Sequence, residues 1–138
     1  MNKKLLIAYD GSEPSEKAFA VGLDLAVKYR AELLVLAVAR PPEPADDVET
    51  EAILESAQEH YEELFAPLRE QAAAAGVTAV FKVVAGHPAD QIVRHAEEFG
   101  ADQIIVGHRG KTLFQKWLVG SVAKRVLSYA SCTVTVVR

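Results

Sequence analysis

Residues 32–39 read ELLVLAVA, and the centre of that stretch, LLVLAV at 33–38, is apolar at every position. A strand with one wet face alternates apolar and polar side chains. A strand of a parallel sheet is covered on both faces and reads as an unbroken apolar run. Glu32–Ala39 is therefore read as a buried parallel strand, and a parallel sheet commits the rest of the chain to crossover helices.

Outward from that strand, apolar runs and helical periods alternate. Lys3–Tyr9, Val77–Ala85, Asp102–Val106 and Thr133–Val137 read as four further strands. Ser12 opens a helix with Pro14 in its first turn and Ala18, Val21, Gly22, Leu25, Ala26 and Tyr29 on one face. After the polar, proline-rich loop RPPEPADD at 40–47, a long helix runs from about Val48 to Ala75, with a kink expected at Pro67 and a stop at Gly76. Pro88–Phe99, closed by Gly100, and Gly120–Ala130 complete the helices. Five strands alternating with four helices predict an α/β domain with a mainly parallel sheet. Right-handed crossovers put helices on both faces, giving a single three-layer α/β/α domain over residues 1–138. Ligands of such sheets bind beyond the carboxyl ends of the strands, where the strand order reverses. The first strand ends at Asp10-Gly11-Ser12 and the fourth at Gly107, both small and polar enough for a site.

Composition excludes several classes of function. Half of the 138 residues are hydrophobic and a quarter charged, the profile of a soluble globular protein. No apolar run approaches the roughly 20 residues that span a bilayer. The apolar part of the first ten residues is too short for a secretory signal. Cys132 is the only cysteine; it is expected to be a small core or interface residue, and a cytoplasmic location is the default expectation. Net charge is −4, unevenly spread: from Gln103 onward there is no Asp or Glu, while Arg109, Lys111, Lys116, Lys124, Arg125 and Arg138 are basic. An acidic chain with one basic end is not a general nucleic-acid binder, but it suits one small anion.

The basic end contains GHRGKTLFQKWLVGS at 107–121. Gly110-Lys111-Thr112 ends like a Walker A loop, yet the first glycine of that loop would fall at Ile105 inside an apolar run, so the Walker reading fails. Gly107 and Gly110 leave the strand with no Cβ, allowing their N–H groups to approach an oxyanion. Gly120-Ser121 opens a helix whose free N–H groups and dipole also favour an anion. Lys124 and Arg125 occupy its first turn, where a capping box would place Glu or Gln, and a bound polyanion would make those cations favourable. Turn glycines and a plain Ser121 cap are the alternative reading of the same residues.

The spacing Gly107, two residues, Gly110, nine residues, Gly120-Ser121 resembles the nucleotide signature of the universal stress protein family, in its ATP-binding branch. LLIAYDGSEPSEKAF at the start, GHPADQIVRHAEEFGADQIIVGHRG in the middle and LVGSVAKRVL with CTVTVVR at the end extend the resemblance over the whole chain. It implies strand order 3-2-1-4-5 and an ATP site. In that site Gly107, His108, Arg109, Gly110, Lys111, Thr112 and Leu113, with Gly120, Ser121 and Val122, would wrap the phosphates and ribose. Asp10 would lie near ribose, phosphates and a nucleotide-bound Mg2+, while Ala8 and the backbone of Val38 would meet adenine. His108 stands where the family usually has a small residue and Arg109 where it has a variable one, and their side chains either add anion contacts or point to water. A homodimer through the last strand is also implied.

Other chemistries fit less well. A phospho-receiver domain needs clustered acids after the first strand and an aspartate after the third, and the chain has neither. The Gly-x-Gly-x-x-Gly fingerprint is absent. His60, His87, His95 and His108 lack metal-ligand spacing. His60 and His95 read as solvated helix residues, and His87 as part of the turn before Pro88. Phe114 and Trp117 read as anchors of their loop. With no general base or activated nucleophile to name, the sequence reads as an ATP-binding regulatory or stress-response module. A slow ATPase or phosphotransfer enzyme using Asp10, and a nucleotide-free dimeric interaction module, are the alternatives.

Overall fold

The apolar run at 33–38 lies in a strand beside the central one of a five-stranded sheet and is buried from Leu33 to Ala37. The computed structural model describes residues 2–109 and 119–138. Its elements are β1 (Lys4–Ala8), α1 (Glu13–Tyr29), β2 (Glu32–Ala39), α2 (Asp47–Ala74), β3 (Ala79–Ala85), α3 (Pro88–Phe99), β4 (Gln103–Gly107), α4 (Ser121–Tyr129) and β5 (Thr133–Val137). The strand order is β3-β2-β1-β4-β5 with every pairing parallel, which is the implied 3-2-1-4-5.

Alternation along each strand divides the core in two. Leu5, Ile7, Leu33, Val35, Ala37 and Ile105 pack with α1 and α2 on one face. Leu6, Ala8, Leu34, Leu36, Ile104 and Val106 pack with α3 and α4 on the other. Gly22 brings α1 down onto the first face: a Cβ there would stand 2.4 Å from Ile7 Cδ1. Among the described residues, no helix is long and apolar enough to cross a membrane.

Some expectations need correction. Tyr29 is 53% exposed and Phe19 is buried in its stead. At 17 residues α1 is about 25 Å long, against about 17 Å for the five residues of β1, so its last turn outruns the sheet. His95 is buried rather than solvated. It shares the inner face of α3 with Ile92 and Ala96, and its Nδ1 donates to the Gln91 carbonyl at 2.8 Å. His60 is exposed as expected. The long helix α2 extends from Asp47 to Ala74 with Pro67 inside it, as the sequence reading placed it. Cys132 is half-buried beside the second core, and burial pushes its thiol up from the ordinary value.

Candidate functional site

The strand order reverses between β1 and β4, and a cleft of about 410 Å³ opens there beyond the carboxyl ends of the strands. Ala8, Tyr9 and Asp10 leave β1 into its floor. Leu36, Val38 and Arg40 form the β2 wall, and Val106, Gly107 and Arg109 the β4 wall. Ser15 of α1, Pro88 and Ile92 of α3, and Gly120 to Ala123 at the start of α4 complete the rim, with Tyr61 reaching over from α2.

Local sequence explains each of these positions. Asp10 Oδ1 accepts from the Ser12 N–H at 2.9 Å, and the Ser12 side chain caps α1 by accepting from Ser15 N at 3.3 Å. Asp10 therefore turns the chain into α1 while still facing the cleft. Gly107 is the last residue of β4, paired with Val137. A Cβ on it would sit 2.7 Å from Pro14 Cβ and 2.9 Å from the Pro14 carbonyl carbon. The close approach that demands glycine at 107 is thus made by the first turn of α1. Gly120 brings the chain back to β4: its N–H donates to the His108 carbonyl at 2.5 Å, and a Cβ would stand 3.0 Å from Arg109 Cα. It is also the N-cap of α4, with no side-chain hydrogen bond to satisfy the first turn.

Two phenols adjoin Asp10. The Tyr9 hydroxyl donates to Glu16 of α1, and burial first, then Glu16, pushes its pKa well above the ordinary phenol value. Burial likewise raises Tyr61, with the Asp10 charge adding to the effect. Both side chains stay protonated near neutrality and can donate hydrogen bonds. Tyr61 also packs against Tyr9 and Phe65, with ring centroids 6.4 and 5.7 Å away.

The sequence-derived residues fall into three groups. Ala8, Asp10, Val38, Gly107, Arg109, Gly120, Ser121 and Val122 line one cleft. Gly110, Lys111, Thr112 and Leu113, together with Phe114 and Trp117, lie outside the described residues. His108 does not point to water: it is buried and is not among the described cleft walls, its N–H donates to the Val137 carbonyl at 2.7 Å, and its Nδ1 has no partner among the described residues. Lys124 and Arg125 are not in the described cleft walls either. Ala123 and Val126 take the inner face of α4, so 124 and 125 turn outward, and Arg125 lies 3.5 Å from Asp90 and over the Tyr129 ring.

Sequence reading missed Tyr9, Arg40 and Tyr61 as cleft residues. Arg40 was legible in principle, two and four residues beyond Val38 and Leu36 on the same strand face. Tyr61 was not, because nothing local says where a helix crosses the end of a sheet. Among the described residues no group of three or more His, Cys, Asp or Glu could hold a metal, and Asp10 is the only carboxylate in the described walls. That donor set does not fit a protein-held ion, although one carboxylate could face an ion carried by phosphates.

A sequence model of the universal stress protein family matches residues 1–138. Universal stress protein YxiE of Bacillus subtilis is 32% identical over 153 residues, spanning 100% of both chains. Universal stress protein MJ0531 of Methanocaldococcus jannaschii is 34% identical over 140 residues, spanning 99% of this chain and 82% of its own. Among solved structures, hypothetical protein MJ0577 superimposes with a TM-score of 0.87 at 29% identity, covering 99% of this chain and 96% of that one. A universal stress protein in complex with cAMP superimposes with a TM-score of 0.69 at 27% identity, covering 99% and 97%. With its sheet order, crossovers and full-length match, this chain belongs to the universal stress protein family.

Proposed function

We propose that the cleft binds an adenine nucleotide, ATP above others, and that the chain acts as a nucleotide-dependent regulatory module. The observation that carries this reading is the start of α4. Gly120 offers no side-chain cap, the first turn holds no acid, and Ser121, Val122 and Ala123 all line the cleft. A helix start with no side-chain cap among the described residues favours an anion, and here it adjoins an apolar bed of Ala8, Leu36, Val38 and Val106 suited to a base. The cAMP complex of a 27% identical relative supports a nucleotide in this fold. On this reading the phosphates lie at Gly120–Val122 and Arg109, the base at Ala8 and Val38, and Asp10 faces the ribose or a phosphate-bound Mg2+. Tyr61 and Tyr9 are too weakly acidic to serve as bases, which favours binding over efficient hydrolysis.

The test is a thermal-shift titration with ATP, ADP and adenosine. Ligand at about 100 times Kd stabilises the native state by roughly 2.7 kcal/mol, and the order expected is ATP, then ADP, then adenosine. No preference for phosphorylated ligands overturns the reading.

The module is proposed to work as a homodimer. β5 is an edge strand, β-branched throughout, with Val134 to Val137 only half-buried. Such an edge invites pairing with a second copy. Val136→Lys is expected to shift sedimentation at micromolar protein from dimer to monomer, and a monomeric wild type refutes the dimer.

A further inference from the structure

Leu36, Val38 and Arg40 line the cleft, whereas Ala37 and Ala39 between them do not. That is the two-residue period of a strand, carried one residue beyond the end of β2. Arg40 therefore delivers its side chain to the wall that Val38 forms. Arg40 Nη2 lies 3.2 Å from His87 Nδ1, and His87 Nε2 lies 2.6 Å from Glu43 Oε1. A guanidinium carries only donors, so Nδ1 must receive it with a lone pair. The single ring proton is then on Nε2, donated to Glu43. The partners on the two nitrogens together specify a neutral His87 in one tautomer.

We propose that Arg40 is a ligand-contacting residue that donates to the ring-nitrogen edge of a purine base, and that neutral His87 is the positioning residue that holds it in place. This rests on the nucleotide reading of the cleft, with the base against Ala8 and Val38. A guanidinium donor beside the base recognises an acceptor such as a purine ring nitrogen. Prealigning a long side chain removes an ordering cost from binding.

The arrangement makes base binding sensitive to acid. A proton added to Nδ1 turns donor against donor, so the Arg40 contact is lost while the Glu43 contact survives. Arg40 and the N-terminus of α3, of which His87 is the N-cap, oppose a charged ring. Glu43 favours it, as does Asp90 of the first turn, which is itself paired with Arg125. Affinity is thus full while Nδ1 can accept from Arg40 and falls once Nδ1 carries a proton.

Calorimetric titration with adenosine, which has no phosphate to titrate, tests this alongside ATP. Measurements are made at about pH 8 and about pH 5.5. Wild-type affinity for adenosine is expected to fall roughly threefold to tenfold on acidification. Arg40→Leu and His87→Ala should show the weaker affinity at both values. His87→Gln, whose amide oxygen accepts from Arg40 at any pH, should keep the stronger affinity at both. All three substitutions are at exposed positions. Wild-type binding by Arg40→Leu, or an undiminished acid loss in His87→Gln, overturns the proposal while leaving ATP binding intact. Failure of wild type to bind ATP at either pH overturns the nucleotide reading and this proposal together.

Discussion

Helices α1 and α4 start at the same end of the sheet and both first turns reach the cleft, yet one start is closed and the other open. At α1, Asp10 accepts from Ser12, Ser12 caps Ser15, and Glu13 and Glu16 supply negative charge to the dipole, with Tyr9 donating to Glu16. At α4, a glycine stands at the cap, no acid follows, and the cations in the turn point outward. The same backbone problem is solved by side chains in one helix, while the other has no side-chain cap among the described residues and is proposed to meet a ligand. On the proposed function, stability and binding fall to two helix starts that line one cleft.

The comparison can be broken most severely by giving α4 the start that α1 has. In Gly120→Asp/Ser121→Glu, the roughly 2.7 kcal/mol that ATP contributes at about 100 times Kd should vanish. The unliganded helix should gain a few tenths of a kcal/mol from the cap and the acid. Urea unfolding with and without ATP measures both, and an unchanged ATP increment would mean that α4 is not where phosphate binds.

A comparable effect is expected at Gly107, which sharpens the closed side. Gly107→Val places its Cβ 2.7 Å from Pro14, and forcing α1 outward should cost about 1–3 kcal/mol in the unliganded protein. Unfolding that matches wild type would return Gly107 to the role of a simple phosphate-loop glycine.

The smallest effect is confined to alkali and belongs again to the closed end. Because Tyr9 and Tyr61 are raised in the folded chain, their contribution to stability is complete below the unfolded phenol value of about 10. It is lost as pH rises through the folded values, since the unfolded chain ionises first and binds fewer protons. Denaturant midpoints at about pH 8, 10 and 11 should decline for wild type and decline less for Tyr9→Phe. Parallel declines would remove Tyr9 from the account.

How much of this was legible in sequence differs between elements for physical reasons. β2, α3 and β5 have the bounds read from their residues, because an unbroken apolar run, a Pro at a helix start with Gly past its end, and a β-branched terminus are local signals. Tyr29 and His95 were misjudged because burial depends on which part of a helix lies over the sheet. The cleft walls were legible where strand ends supply them, at Asp10 and Gly107, while Ala8 and Val38 came only with the family resemblance. It was illegible where side chains arrive from elsewhere, as Tyr61 does from α2.

By itself, then, the sequence determined the alternation of strands and helices, the parallel sheet, and the Gly-Ser opening of the last helix, all properties of residues within one turn or one strand of each other. Only the tertiary structure decided that Gly107 is required by Pro14, that Arg125 turns to Asp90, and that Arg40, His87 and Glu43 meet at the mouth of the cleft. Those depend on distances between segments far apart in the chain, which are fixed when the two faces of the sheet bury their apolar side chains against the helices.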